Sequence, residues 1–148
     1  MKIPSIALAF ALLGCLSSPL SAADPKAPNL VGTWVAEYPV HFHHGKGQAK
    51  QTIVIEEQYP QGFRGVREWT RTDFTPAKSA KAPAKKAEKV AFAGVIGFDG
   101  KTLHFADHGQ MSHATAKLVG PNEMEVIFVK PGEPAVAFRA KFRRLVKS

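Results

Sequence analysis

The chain has 148 residues, with 20 lysines and arginines against 12 aspartates and glutamates, a formal net charge of +8 and 45% apolar residues. That length suits one domain with a core of its own. A single cysteine, Cys15, excludes an intrachain disulfide.

Residues 1–23 read as an export signal. Lys2 supplies the positive start, 6–13 the apolar core, and Ser21-Ala22-Ala23 the small residues before a cleavage point, with Asp24 as the first mature residue. The apolar run is far short of the ~20 residues that cross a bilayer, so a permanent membrane helix is not expected. Cleavage after Ala23 leaves 125 of the 148 residues, discards Cys15 and places the domain in the periplasm or outside the cell. Leu12-Leu13-Gly14-Cys15 also resembles the lipobox of bacterial lipoproteins, and the alternative is a lipoprotein anchored at Cys15.

Beyond a proline-rich leader, stretches of strand character alternate with Gly, Pro, Asn and Asp. They cover 30–38, 49–57 (with the β-branched run TIVIE) and 63–74, then 90–98, 101–107, 111–119, 123–130 and 135–144. Asp99-Gly100 is the strongest turn signal, because glycine tolerates the positive φ of a tight hairpin. Between the third and fourth stretches, 76–89 holds Lys78, Lys81, Lys85, Lys86 and Lys89 against Glu88 alone, in an Ala/Lys/Pro tract without an aromatic residue. Nucleic-acid readers interleave basic and aromatic residues, so the tract reads as a solvated flexible loop and no nucleic-acid partner is expected. Its functional alternative is attraction to an anionic envelope surface.

Eight strands joined mostly by short turns predict an all-β fold, an eight-stranded antiparallel up-and-down meander closing into a small β-barrel. Closure removes the exposed edges that template aggregation. The alternative, a β-sandwich, needs longer crossovers. No window of the mature chain has a clear helical period.

Leu30-Val31-Gly32-Thr33-Trp34 resembles the opening of the calycin superfamily (lipocalins, fatty-acid-binding proteins and avidins), in which a Gly-x-Trp places the indole as a plug at the closed end. An arginine near the C-terminus packs on that indole in lipocalins, which implies Arg139, Arg143 or Arg144 here. Gly62-Phe63-Arg64-Gly65 resembles the Gly-x-x-Gly of avidin-type hairpins. The resemblance, strongest to bacterial exported domains of lipocalin-like type, implies an eight-stranded barrel holding a small, largely apolar ligand. The central Thr-Asp-Tyr type signature of lipocalins and the biotin-binding polar set of avidins have no counterpart here.

Three constellations carry possible chemistry. Arg67, Trp69, Arg71 and Asp73 alternate along the third strand. Turned inward they give a cationic wall around an indole; turned outward they form a charged solvent face, with Val66 and Phe74 on the core side. The number of charges favours outward, the cost of exposing Trp69 inward. His104, His108 and His113 lie on or between two neighbouring strands. His41, His43 and His44 cluster after the first strand, where His41 and His43 would share one face and suit zinc or copper. For catalysis, Ser79, Ser112 beside His113, and the pairs Glu56/Glu57 and Glu123/Glu125 supply no convergent nucleophile or acid/base set, so no enzyme is expected.

The leading expectation is therefore an exported binding protein for a small apolar or amphipathic ligand, contacted by Trp34, Arg67, Trp69, His104 and His113, with no cofactor. The alternatives are a periplasmic metal-binding protein using His41, His43 and His44, and an envelope-associated structural or adhesion domain using the lysine-rich loop.

Overall fold

In most strands, apolar residues that favour an extended backbone alternate with polar ones, while in 90–96 the outward places go to Ala91, Ala93 and Val95. The computed structural model describes residues 28–42, 45–76, 87–133 and 135–146, and all its regular elements are strands. The segment with Cys15, together with His43, His44, Lys78, Lys81, Lys85 and Lys86, lies outside the described residues. The strands are β1 (Gly32–Phe42), β2 (Gly45–Gln58), β3 (Gly62–Pro76), β4 (Ala87–Ile96), β5 (Thr102–Asp107), β6 (His113–Gly120), β7 (Glu123–Lys130) and β8 (Val136–Arg144).

Each strand pairs antiparallel with its sequence neighbours, and β8 returns to β1, so the sheet is a closed barrel of order β1 through β8. The expected meander is the observed one, and the sandwich is excluded. The main difference lies in the β1–β2 hairpin, which pairs as far as Phe42 with Gly45. The first strand, expected over 30–38, runs on through Pro39 to Phe42. On its other side β1 pairs with β8 at Trp34–Val35 and again at His41–Phe42. Pro39, with no N–H to donate, falls in the interval between those two stretches.

The even-spaced inward residues fill the barrel from the β1 start upward. Trp34, Leu30, Leu103, Met124 and Phe142 are buried to within 1% at this closed end. Above them Phe63, Phe92 and Phe105 make a triangle of edge-to-face and tilted contacts with centroids 5.4–6.2 Å apart, the geometry that ring quadrupoles favour. Gly94 makes room for that triangle: a Cβ there would stand 2.4 Å from the Phe63 ring. At Gly65 a Cβ would meet the Val54 carbonyl oxygen at 1.9 Å, so only glycine permits the close β2–β3 approach.

The closed end is tied down by side chains on several elements. The Trp34 indole N–H donates to the Leu30 carbonyl at 3.0 Å, and the Arg144 guanidinium lies over the Trp34 ring at 4.6 Å. Of the three C-terminal arginines, Arg144 takes the place implied by the calycin resemblance. It also donates to the Asn29 carbonyl. Gln58 accepts from the Leu30 N–H at 2.7 Å and donates to the Pro28 carbonyl at 2.8 Å, fastening 28–31 across the barrel end.

Candidate functional site

Strand β3 decides which way the site faces. Phe63, Gly65, Arg67 and Arg71 are buried and Trp69 half-buried, while Arg64, Glu68 and Thr70 are exposed. The row is therefore inward, and the outward reading is corrected: the penalty for exposing an indole and its neighbours outweighs the charge count, because the charges find partners inside. Asp73 does leave the row. Ala49 pairs with Arg71 and Gln48 with Asp73, so Thr72 is an extra residue in β3. That bulge turns Asp73 out and lays Phe74 beside Arg71, whose guanidinium stands 4.8 Å from the Phe74 ring centroid.

A polar layer crosses the barrel above the phenylalanine triangle. The Arg67 Nε donates to Asp107 Oδ1 at 2.7 Å and its Nη2 to Asp107 Oδ2, a two-pronged ion pair in which both side chains are 3% exposed. Ser112 Oγ donates to the same carboxylate, and the Arg67 guanidinium lies 4.8 Å from the Phe128 centroid. An isolated charge at this depth would be prohibitive; pairing, hydrogen bonds and the ring face together offset the loss of water. Beside this layer the Tyr38 hydroxyl donates to Gln51 Oε1 at 2.7 Å. Burial raises the Tyr38 hydroxyl well above its ordinary pKa, partly opposed by the Arg67 charge, so it stays a neutral donor.

Above the layer, strands β1, β2 and β3 run on to Phe42, Gly45 and Pro76, and the inner faces of β1 and β3 become aromatic. Phe42 contacts Trp69 and Phe74 with centroids 6.5 and 5.8 Å away. Phe138 stacks between Tyr38 (4.1 Å) and Phe128 (4.9 Å). Phe42, Trp69, Phe74 and Phe138 are all only partly buried. Glu88 at the start of β4 holds the rim: its carboxylate accepts from the Trp69 indole N–H at 3.1 Å and from the Gln110 amide. Partial burial pushes Glu88 up, but those two hydrogen bonds and the charges of Lys130 and Arg67 outweigh it, leaving its pKa below the ordinary value. Gln110 Oε1 is buried and has no hydrogen-bond partner. The mouth thus presents half-exposed rings, buried Arg71 and one unanswered acceptor.

The expected site residues separate. Arg67 and Trp69 lie in and just above the polar layer. Trp34 belongs to the opposite end, fully buried, and is a floor rather than a ligand wall. His104 and His113, expected to contact the ligand, are exposed on the outer face of β5 and β6, because Leu103, Phe105, Asp107 and Ala114 take the alternate inward positions. The His104 ring nitrogen Nδ1 lies 3.4 Å from Thr115 Oγ1, and His113 stands opposite Ala106. His41 is exposed on β1 between Lys46 and Ala137, and its expected companions His43 and His44 lie outside the described residues. Among the described residues, no three His, Cys, Asp or Glu side chains gather as a metal-ligand group.

Sequence reasoning missed Tyr38, Gln51, Glu88, Asp107, Gln110 and Ser112. For Asp107 a signal was present: Leu103, Phe105 and Asp107 share one face at period two, so a carboxylate sits where the next inward residue belongs. Gln51, between Ala49 and Ile53 on the buried face of β2, carries the same signal.

No protein-family model matches the chain, and no curated protein matches its sequence. Among solved structures, the S-type phycobiliprotein lyase CPES from Guillardia theta is similar at 10% identity with a TM-score of 0.46, over 80% of this chain and 90% of that chain.

Proposed function

We propose that this is an exported binding protein that takes a small amphipathic ligand into the open mouth of the barrel, above the Arg67–Asp107 layer. The observation that carries the reading is the half-exposed aromatic set Phe42, Trp69, Phe74 and Phe138, gathered around buried cationic and amide groups at one end of an otherwise filled barrel. Concave sites of this kind combine apolar walls with a few polar groups that fix orientation. The rings take the apolar part of the ligand, and its polar part meets Arg71 and the free Gln110 oxygen. Export rests on the signal-like residues 1–23.

The role is binding rather than catalysis. In support, the buried carboxylate of Asp107 is already committed to Arg67 and Ser112, and the Ser112 hydroxyl is turned to that carboxylate. His113, next in sequence, faces outward.

The two tryptophans make the test direct, since Trp34 lies in the floor and Trp69 at the mouth. Titration with a fluorescent hydrophobic probe is expected to saturate and to change indole emission. Trp69→Phe should remove the emission change and Trp34→Phe retain it. Absence of saturable binding, or a response carried by Trp34, would reject the reading.

A further inference from the structure

We propose that the closed end of the barrel is a membrane-docking face, with Phe98 as its leading side chain. The exposed large apolar residues are distributed unevenly along the barrel axis. Val31, Tyr59, Val95, Phe98, Val119, Leu145 and Val146 all belong to the closed end: the segment before β1, the β2–β3 connection, the end of β4 with the β4–β5 connection, the end of β6, and the chain after β8. Towards the mouth the described residues include Met111 and, near the end of β7, Val129, with Ile127 exposed midway along that strand. Single exposed apolar residues are ordinary, but a set drawn from five separate segments to one end is not.

Phe98 is fully exposed, and its backbone is rigidly held. Gly97 donates to the Thr102 carbonyl at 2.7 Å and Gly100 to the Gly97 carbonyl at 2.9 Å, with Gly100 at a φ of 65°. The Asp99 carboxylate accepts from the N–H groups of Lys101 (2.9 Å) and Thr102 (2.7 Å) and from the Thr102 hydroxyl (2.6 Å). A turn built this way presents an aromatic ring without further ordering on contact.

Two further observations select a bilayer over other partners. The charges at this end are mixed and largely paired: Arg64 with Glu57 at 2.6 Å, and Lys141 with Glu125 at 3.0 Å. No single-sign field is available for an acidic polymer. The apolar side chains are also interspersed with exposed Asn29, Gln61 and Asn122, which breaks the continuous dry centre a protein interface needs. A bilayer surface accepts apolar side chains one by one and polar ones at headgroup level. The described chain begins at Pro28 on this end.

The test uses the full chain in a Cys15→Ser background, with an environment-sensitive fluorophore on Phe98→Cys or on Met111→Cys. On phosphatidylcholine vesicles, the label at 98 is expected to blue-shift and to be quenched by a bilayer-embedded quencher, and the label at 111 to remain in water. Replacing Phe98 and Val146 together by serine should weaken vesicle partitioning by about tenfold or more, with near-ultraviolet dichroism unchanged. The loss should be similar with and without phosphatidylglycerol. A label at 98 that stays in water on bound protein overturns the proposal. So does binding that requires anionic lipid, or an end-to-end dimer in solution that the two serines dissolve.

Discussion

At the closed end of the barrel Trp34, Leu103, Met124 and Phe142 have no contact with solvent, and the hydrogen bonds of Trp34 and Gln58 stay within the protein. At the other end, aromatic rings of comparable size remain partly exposed, a carboxylate with a lowered pKa binds an indole, and a buried amide oxygen lacks a partner. The same sheet and the same alternation thus build a sealed floor and an unfinished rim, divided by the Arg67–Asp107 pair. Apolar burial dominates the floor, helped by the Trp34, Gln58 and Arg144 contacts. The rim depends on polar groups whose partners come from distant strands.

The sharpest way to break this contrast is to unpair the layer. Arg67→Ala or Asp107→Ala leaves a buried charge without its partner and should cost about 3–5 kcal/mol in urea unfolding. Replacing both by leucine should restore most of that stability yet abolish probe binding in the mouth. If the double variant still binds probe normally, the layer is not the site's boundary. At the floor, Leu103→Ala or Trp34→Ala should cost about 3–5 kcal/mol, while the variant that still folds keeps its mouth. Probe affinity that falls together with floor stability would blur the distinction.

A smaller effect is expected from Trp69→Ala. It should reduce stability by about 1–2 kcal/mol, since the indole is only half-buried, but should lower probe affinity about tenfold. The smallest effects are those of acid. Glu88 has a folded pKa below its ordinary value, so its hold on Trp69 and Gln110 is complete above that ordinary value and is lost as pH falls through the folded one. Trp69 emission should follow that titration, and Glu88→Gln should abolish the response. The same sign applies to Asp99, whose folded pKa is lowered to about 2 by bonds from the Thr102 hydroxyl and the 101–102 backbone. The β4–β5 turn should keep its amide protection down to about that pH, and Asp99→Ala should lose it at neutral pH.

The architecture was legible because it repeats. Eight alternating stretches, punctuated by Asp99-Gly100, Gly120-Pro121-Asn122 and similar turns, leave little choice beyond a meander, and Gly32-x-Trp34 marks its closed end. Strand ends were less legible. The first strand was expected over 30–38 but runs on to Phe42, because Pro39 falls where the β1–β8 ladder does not require its N–H. The site was half legible. Period two places Arg67 and Trp69 on one face, but which face depends on whether partners exist inside. Arg67 meets Asp107 two strands away, and in HFADHG an aspartate before His-Gly looks like a turn residue. The histidines misled for the converse reason: their chemistry is conspicuous, but the neighbours Leu103, Phe105 and Ala114 claim the interior.

The return of β8 to β1 also sets the order in which the molecule can be assembled. Seven hairpin contacts are local and can form as the chain emerges, whereas Arg144 reaches Asn29 across 115 residues and β8 closes the ring only at the end. Closing so long a loop is slow compared with forming a hairpin. Until the last nine-residue strand is free, β1 keeps an open edge and Trp34 lacks its covering arginine. Loss of β8 would therefore leave an incomplete sheet with two unpaired edges rather than a smaller barrel. A chain whose final strand is withheld stays unclosed, the state in which a polypeptide can still be threaded through a narrow passage.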